Sequence, residues 1–463
     1  SYPVTDHNGG QLRPSFVVRR LERLFPGLMP ERETVHLLTP AVALEEAGQE
    51  MGGSLWRYFA GREEYAGTLA AMERARQLRR GRLSPAAVQS LYGTRMGMSA
   101  SRMDRVRQCH FGYFMQYGLR AKERRPAGFE APEIGTFLHY LLENTAREVA
   151  GSGGWAAVKT PQLHAMVRKY IDLYIRDEIP GYEEKSARFR YLFGRLRTTA
   201  EDIVDRMAEE LAESDFKPVA FELGFGGRDG TLPAITIQEG DATLSVSGKV
   251  DRVDGWLHDG KLYLRVVDYK TGRKAFSLSD VWYGMGLQML LYLFALERSG
   301  PARYGHEIVP AGVLYVPARD VLIPADRRLS PEEAARERAG AVRRSGLLLD
   351  DAAVLHAMEH SDTPQYLPVS PRRKTDALAS AEQLGLLARH IETTLLDLAH
   401  ELRGGSITAD PYFRSGQDTA CTHCDYLTVC HFTPGMGGDC HRVLTKLPAD
   451  KVWSNLKGGT PDA

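Results

Sequence analysis

The feature that most constrains the fold is a predicted β-hairpin with an aspartate on each strand. Residues 248–270 read GKVDRVDGWLHDGKLYLRVVDYK, two stretches with alternating apolar residues that meet at Asp259-Gly260. This dipeptide favours the tight two-residue turn of a hairpin. A regular hairpin with that turn places Asp251 directly opposite Asp268, with both side chains on one face of the sheet.

This register is favoured by the other cross-strand pairs of the hairpin, but it brings the like charges of Asp251 and Asp268 together. The same pairing places Asp254 opposite Arg265, which is a favourable cross-strand pair. Asp251 and Asp268 would instead repel each other across roughly 5 Å. A divalent cation bound by both carboxylates is the simplest compensation. The alternative is a surface hairpin whose charges are only solvated, and a bulge near the turn would break the pairing.

Lys270 adds a third charged group to the same face, because it lies two residues after Asp268. A metal-binding aspartate followed by this lysine suits phosphodiester hydrolysis. The ion polarises the phosphoryl oxygen and acidifies a bound water, while the ammonium stabilises developing charge or orients the nucleophile. The hairpin therefore predicts a metal-dependent hydrolytic site at Asp251, Asp268 and Lys270.

Length and charge limit the classes of protein that remain. The chain has 463 residues, with 59 basic and 59 acidic side chains. That length predicts two or three compact units, and the zero net charge means that any path for DNA must be local. No apolar run approaches the roughly 18 residues of a membrane span, and no secretory signal pattern occurs. We expect a cytoplasmic protein that does not contact membranes and, because it begins at Ser1, a fragment of a longer polypeptide.

The cysteines predict a metal or cluster site. Five cysteines are too few for a disulfide scaffold in a chain of this length, so reduced thiols are expected. Cys421, Cys424 and Cys430 have the spacing C-x2-C-x5-C, which is typical of zinc or iron–sulfur ligands. A fourth ligand is needed, and the candidates are Cys440, His423, His431 and Cys109. Spacing alone leaves zinc and an iron–sulfur cluster equally open.

Four further polar residues are candidates for the same active site. His139 lies in an apolar helical stretch, and is either a core residue or a metal ligand if its helix packs on the hairpin. Gln288 and Tyr292 share one face of a helix predicted to begin at Ser279 or Asp280, and a substrate phosphate, a base or the backbone could satisfy the glutamine. For Glu222, on the strand that precedes the hairpin, a solvent-facing side chain is the preferred interpretation.

Taken together, these features resemble the PD-(D/E)XK nucleases of the RecB family. The most similar members are the AddB (RexB-like) subunits of bacterial AddAB helicase–nucleases, in their C-terminal part. The resemblance is carried by SASRMDRVRQCHFGYF, GTFLHYLLEN, GKVDRVD, VVDYKTG, the Q-x-x-x-Y pattern of Gln288–Tyr292, and PYFRSGQDTACTHCDYLTVCHF. Weaker similarity extends over most of the chain.

The resemblance implies roles for individual residues. The divalent-metal ligands, for Mg²⁺ or Mn²⁺, are expected to be His139, Asp251 and Asp268, with the carbonyl of Tyr269 as a further one. Lys270 matches the catalytic lysine. The residues that line the DNA strand near the active site would be Gln288 and Tyr292, and aromatic rings such as that of Tyr292 are expected to stack on the DNA.

The resemblance also implies a 4Fe-4S cluster. Its ligands would be Cys109, Cys421, Cys424 and Cys430, with Cys440 outside the set. A cluster bound in this way would act as a staple that closes a loop of more than 300 residues. The sequence departs from the family at His110, where proline often follows the first cysteine.

The resemblance implies an α/β fold: a PD-(D/E)XK nuclease core with a mixed central sheet flanked by helices, a helical N-terminal region and a C-terminal iron–sulfur staple. The expected segments are the end of a helicase-like region (1–95), the Cys109 segment with the helical part of the nuclease domain (96–215), the nuclease core (216–408) and the iron–sulfur segment (409–463).

The function implied is that of a Mg²⁺-dependent DNA exonuclease domain within a helicase–nuclease complex. It would cut single-stranded DNA emerging from an unwound duplex, on the 5′-terminated strand, with an AddA-type helicase–nuclease subunit as its partner in processing double-strand breaks for recombinational repair. Two alternatives are a free-standing iron–sulfur exonuclease of the Cas4 type and a non-catalytic DNA-binding module stabilised by zinc.

Overall fold

The fold is taken from a computed structural model, which describes residues 15–27, 39–77, 80–122, 131–226, 232–240, 242–272, 275–319, 329–369, 375–435 and 437–458. Residues 1–14 and 459–463, which belong to the first and last predicted segments, lie outside the described residues. The chain forms two compact units. The first comprises residues 1–88, 108–122 and 404–445, and the second comprises residues 89–107, 123–403 and 446–463.

The described residues form the following helices and strands. The helices are α1 (Phe16–Leu24), α2 (Pro40–Gln49), α3 (Ser54–Ala60), α4 (Ala66–Gln77), α5 (Pro85–Tyr92), α6 (Ala100–Gln108), α7 (His110–Tyr113), α8 (Ala131–Gly151), α9 (Thr160–Glu178), α10 (Ala187–Ala212), α11 (Leu278–Trp282), α12 (Gln288–Tyr304), α13 (Pro331–Val342), α14 (Ala352–Met358), α15 (Ala381–Arg403), α16 (Leu427–Cys430) and α17 (Ala449–Leu456). The strands are β1 (Arg95–Met98), β2 (Lys217–Phe225), β3 (Ile235–Glu239), β4 (Ala242–Val246), β5 (Gly248–His258), β6 (Lys261–Lys270), β7 (Glu307–Pro317), β8 (Ser345–Leu349), β9 (Leu378–Ala379), β10 (Tyr412–Ser415), β11 (Asp418–Thr419) and β12 (Arg442–Val443).

The second unit is built on a mixed sheet. Among the described residues this sheet has six strands in the order β2-β5-β6-β7-β8-β9. The pairs β6–β7 and β8–β9 are parallel, and the other neighbouring strands are antiparallel. Helix α12 packs against β6 and β7, α8 packs against β2, and α9 packs against both α8 and α10. The predicted fold class, a mixed central sheet flanked by helices, is confirmed.

The hairpin of β5 and β6 has the predicted register. Its ladder runs from Arg252↔Val267 to His258↔Lys261, with Asp254 opposite Arg265. The turn residues Asp259 and Gly260 both have positive φ, 49° and 79°, as a type I′ turn requires. Since β6 lies between β5 and β7 and is covered by helices, nearly all of its side chains are buried, which the alternating sequence alone did not reveal.

The helix predicted from Ser279 or Asp280 onward is wrong as a single element. Helix α11 is capped by the Ser277 side chain, which accepts from the amide of Asp280, and it ends at Trp282. Gly284 and Gly286 then adopt φ of 77° and 66°, a conformation that breaks a right-handed helix. Helix α12 therefore begins at Gln288 and places this residue in its first turn.

The first unit contains helices, a small sheet and the Cys109 segment. Strands β11, β10 and β12 form the sheet, and a separate apolar cluster is made by Ala43, Ala47, Phe59 and Leu69. The amide of Phe111 donates to the carbonyl of Thr408 over 2.9 Å. Residues 108–122 and 404–445 thus belong to one compact unit, although more than 280 positions separate them in the sequence.

Among the described residues, none of the helices combines the length and the apolar character needed to cross a membrane.

Candidate active site

The hairpin, helix α8 and strand β2 bring the predicted catalytic residues of the second unit together. His139 comes from α8, Asp251 from β5, and Asp268 and Lys270 from the end of β6. The ligand atoms of His139, Glu222 and Asp251 all lie within 4.8 Å of one another. His139 Nδ1 is 3.2 Å from Asp251 Oδ1 and 3.7 Å from Glu222 Oε1. One imidazole and two carboxylates at this separation are a suitable donor set for a divalent cation.

Glu222 is at the site and not in solvent, so the preferred sequence interpretation was wrong. Its carboxylate also forms an ion pair with Lys249, whose Nζ is 3.0 Å from Oε2. The backbone of Glu222 has φ 48°, an uncommon conformation for a glutamate and one often found at functional sites. A period-two pattern assumes regular extended backbone, and for this reason it could not indicate the direction of this side chain.

Asp268 lies beside this group but contacts Lys270. Lys270 Nζ is 2.6 Å from Asp268 Oδ2, and the Asp268 side chain is buried. The Asp251 side chain is also bonded to β6: its Oδ2 accepts a 2.7 Å hydrogen bond from the amide of Tyr269. The ladder ends at the pair next to Asp251 and Asp268, so the two acids flank the end of the hairpin as the register predicts.

Several acidic side chains lie close together at the site and shift the pKa values of their neighbours. Burial, together with the neighbouring charge of Asp251, raises the pKa of Asp268 to about 6, against the opposing effect of Lys270. Burial would lower the pKa of His139, but hydrogen bonds to Asp251 and Glu222 outweigh it and raise this pKa to about 10. A protonated His139 thus neutralises part of the charge that a bound divalent cation would otherwise balance.

Tyr292 does not offer a stacking surface to DNA, which corrects the sequence interpretation. Its side chain is only 3% exposed and its ring stacks on Phe225, with centroids 5.2 Å apart and planes 6° apart. Burial raises the pKa of Tyr292, while a hydrogen bond with Gln288 opposes the shift. Gln288 is half-buried. The pair therefore packs beneath the beginning of β5 rather than presenting a ring to a base.

Tyr292 also explains the glycine at the beginning of β5. A Cβ at Gly248 would lie 1.8 Å from Tyr292 Oη and 2.6 Å from Cζ, distances that no relaxed structure tolerates. We therefore expect Gly248→Ala to lower the free energy of unfolding by about 1–3 kcal/mol through overpacking. It should also reduce activity, because β5 carries Asp251.

A matched control for this prediction is Gly272→Ala, where a Cβ would meet no atom within 4 Å. Urea unfolding followed by circular dichroism measures both variants. Equal unfolding midpoints for Gly248→Ala and the unsubstituted chain would show that Tyr292 does not hold the start of β5.

The cysteines form a second candidate site, within the first unit. One small cavity is lined by Cys109, Cys421, Cys424 and Cys430, together with apolar side chains that include Phe111, Leu427 and Phe432. Cys440, the alternative fourth ligand, is exposed and does not line this cavity, and the same holds for His423 and His431. The cavity therefore collects the four thiols that the resemblance implies.

Burial favours the protonated form of two of these thiols. It raises the pKa of Cys430 to about 11, and it raises the pKa of Cys109 as well. Arg80 opposes the shift at Cys430, and its guanidinium forms a bidentate pair with Asp439 at 3.0 Å. Cys109 itself stands at the start of α7.

Comparison with known proteins finds relatives whose similarity to this chain covers both candidate sites. A family model described as the PD-(D/E)XK nuclease superfamily matches residues 97–431. Proteins named as the B-type subunit of an ATP-dependent helicase/deoxyribonuclease are similar over nearly the whole chain. They include those of Acetivibrio thermocellus (31% identical, 98% of this chain), Desulforudis audaxviator (33%, 100%) and a Thermoanaerobacter species (28%, 99%). In each case the chain spans 42% of the relative's length.

Proposed function

This chain belongs to the PD-(D/E)XK nuclease superfamily, and we propose that it hydrolyses phosphodiester bonds of DNA with a divalent metal ion, Mg²⁺ or Mn²⁺. The resemblance found from the sequence motifs is confirmed at the level of the family. The observation that carries the proposal is the convergence of His139, Glu222 and Asp251 within 4.8 Å, beside Asp268 and its lysine.

The residues that would hold the ion are His139, Asp251 and Asp268, with the carbonyl of Tyr269 as predicted and Glu222 as an addition. The ion would polarise a phosphoryl oxygen and lower the pKa of a bound water. Lys270, 2.6 Å from Asp268, would stabilise the negative charge that develops on the phosphate or orient the attacking water. The amide of Tyr269 holds Asp251 in place.

The names of the similar proteins support a more specific proposal. Because they are called helicase/deoxyribonuclease subunits, we infer that this chain is the nuclease-bearing part of an AddB-type subunit that works with an AddA-type partner. Its substrate would be the single strand that emerges from an unwound duplex. The complex would process double-strand breaks for recombinational repair, and this subunit would cut the 5′-terminated strand.

The first experiment uses the whole chain and a 5′-labelled single-stranded oligonucleotide. We expect cleavage in Mg²⁺ or Mn²⁺ and none in EDTA, because His139, Glu222 and Asp251 lie close enough to bind one ion. Cleavage that persists in EDTA would contradict the metal-dependent mechanism. Strand preference is then measured on a duplex with each 5′ end labelled in turn, after mixing with an AddA-type partner, and predominant loss of the 3′-terminated strand would contradict the proposed polarity.

For the second site we propose a 4Fe-4S cluster bound by Cys109, Cys421, Cys424 and Cys430. The support is the one cavity that these four cysteines line, together with the family resemblance, which implies a cluster at the same four positions. Within the first unit, the cluster would join residues 108–122 to residues 404–445. Its role would be structural. The two segments are far apart in the sequence, so a cluster that joins them closes a long loop of the chain.

A further inference from the structure

Directly behind the catalytic residues, the sheet buries a group of charged side chains that the proposed chemistry does not use. Side chains alternate along a strand, so Arg252 and Asp254 point away from the face that carries Asp251. We call the following five residues the back-face network, with their exposed fractions: Arg252 (1%), Asp254 (0%), Arg265 (0%), Glu210 (2%) and Arg344 (4%).

Ion pairs connect the back-face network across three elements and one connecting residue. Arg252 Nε lies 2.8 Å from Asp254 Oδ1, and Arg265 Nε donates to Asp254 Oδ2 over 2.9 Å. Arg265 Nη2 is 3.6 Å from Glu210 Oε1, and Glu210 also pairs with Arg344. The network thereby joins β5, β6, helix α10 and the residue that precedes β8.

Stability alone does not explain this arrangement. Removing charged groups from water is costly, and apolar residues of similar volume are often equally stable or more stable. The back-face network contains three cations and two anions, so its charges do not even balance. Buried ionic groups are best explained where they fix one arrangement of the chain, and this suggests a role in the geometry of the neighbouring site.

Tyr269 connects the back-face network to the catalytic face. Its hydroxyl accepts a 2.6 Å hydrogen bond from Arg252 Nη1 and donates to the sulfur of Met207 over 3.1 Å. Its amide donates to Asp251 Oδ2 over 2.7 Å on the other face of the sheet. Tyr269 also lies between Asp268 and Lys270, so an anchored ring fixes the backbone of both.

We propose that Arg252 and Tyr269 are positioning residues for the metal site: their buried hydrogen bond holds the backbone that orients Asp251, Asp268 and Lys270. This inference rests on the proposed metal-dependent function. Neither side chain is proposed as a ligand of the ion: Arg252 is buried in the back-face network, and the buried ring of Tyr269 lies edge-on to His139, with centroids 6.2 Å apart. Such supporting contacts commonly contribute 10- to 100-fold to metal affinity or activity.

The test is Tyr269→Phe, which removes only the hydroxyl. The dissociation constant of Mn²⁺ is measured without DNA, from the free Mn²⁺ signal in electron paramagnetic resonance. We expect binding to weaken about 10-fold or more. Cleavage should fall at low Mn²⁺ and recover at saturating Mn²⁺, because the metal ligands are all retained.

A matched control separates positioning from general stability. Tyr366 is also buried, its hydroxyl donates to Glu209 Oε2 over 2.7 Å, and Arg344 Cζ lies 4.6 Å from its ring centroid. Tyr366→Phe removes the same atom beside the same network, but this tyrosine does not bond to Asp251. We expect a similar fall in the urea midpoint for both variants, and unchanged Mn²⁺ affinity only for Tyr366→Phe.

The outcomes distinguish this inference from the function on which it rests. If Tyr269→Phe binds Mn²⁺ as tightly as the unsubstituted chain, the positioning role is wrong while the metal site stands. If both variants lose Mn²⁺ affinity equally, the effect is one of stability and the inference is also wrong. If the unsubstituted chain binds no Mn²⁺, the proposed function fails first.

Discussion

Asp268→Ala should abolish DNA cleavage without unfolding the protein, with a loss in rate of about 10²- to 10³-fold or more in Mg²⁺. The substitution removes one of the carboxylates proposed to hold the ion, and it leaves Lys270 without the oxygen that lies 2.6 Å from its ammonium. Initial rates on a labelled single strand, at saturating Mg²⁺, measure the loss.

The same variant should be at least as stable as the unsubstituted chain near pH 7 in metal-free buffer. The pKa of Asp268 is raised to about 6 in the folded state, mainly by burial, so its proton stabilises the fold only at low pH. That contribution is complete below the unfolded-state pKa and is lost as the pH rises through about 6, where the buried carboxylate becomes ionised next to Asp251. Urea midpoints at pH 5 and pH 7.5 test this sign.

Asp259→Asn is the matched control on the same hairpin. Asp259 is at the turn with φ 49° and its side chain is 88% exposed, and asparagine tolerates this backbone conformation well. The Asp259→Asn variant should therefore cleave DNA at the same rate as the unsubstituted chain. Full cleavage by Asp268→Ala would overturn the assignment of the active site.

Cys421→Ala is expected to give colourless protein that is readily digested by protease. Cys109 and Cys421 lie more than 300 positions apart, and a covalent clip that closes so long a loop is worth about 5 kcal/mol by chain-entropy arguments. Since the cysteines line a cavity in the first unit, digestion should begin there. Iron analysis, visible absorption and timed proteolysis measure the three effects.

Cys440→Ala is the control for the cluster, because this thiol is exposed and lies outside the cavity. It should remain brown and resistant to protease. A colourless unsubstituted chain that contains one zinc ion, or a Cys421→Ala protein that keeps its colour, would rule out the proposed cluster.

The sequence allowed the hairpin to be predicted because each local signal favoured one register. An Asp-Gly turn fixes the pairing, and the alternating apolar residues favour the same pairing, which the ladder confirms through Asp254 and Arg265. The burial of Asp254 and Arg265 was not predictable, because an alternating apolar pattern does not reveal whether a second layer of structure covers the polar face of the sheet. Helix α10 supplies that layer through Glu210.

Other parts of the site depend on backbone geometry or tertiary packing that periodicity does not encode. Glu222 reaches the site through a left-handed backbone conformation. Gly284 breaks the predicted helix. Its position requires a glycine, because a Cβ there would lie 2.9 Å from Arg107 Nε. Tyr292 matched a family motif by position, but its burial against Phe225 could be found only from the packed structure.

Location of the bound ion tests the central claim most directly. Crystals of the chain soaked in Mn²⁺ and measured at the manganese absorption edge would give an anomalous peak at each bound ion. We predict a peak within coordination distance of Asp251, Asp268 and His139, at the place where the structure brings His139 and Asp251 together with Glu222. Manganese bound only elsewhere, with none between Asp251 and Asp268, would contradict the account.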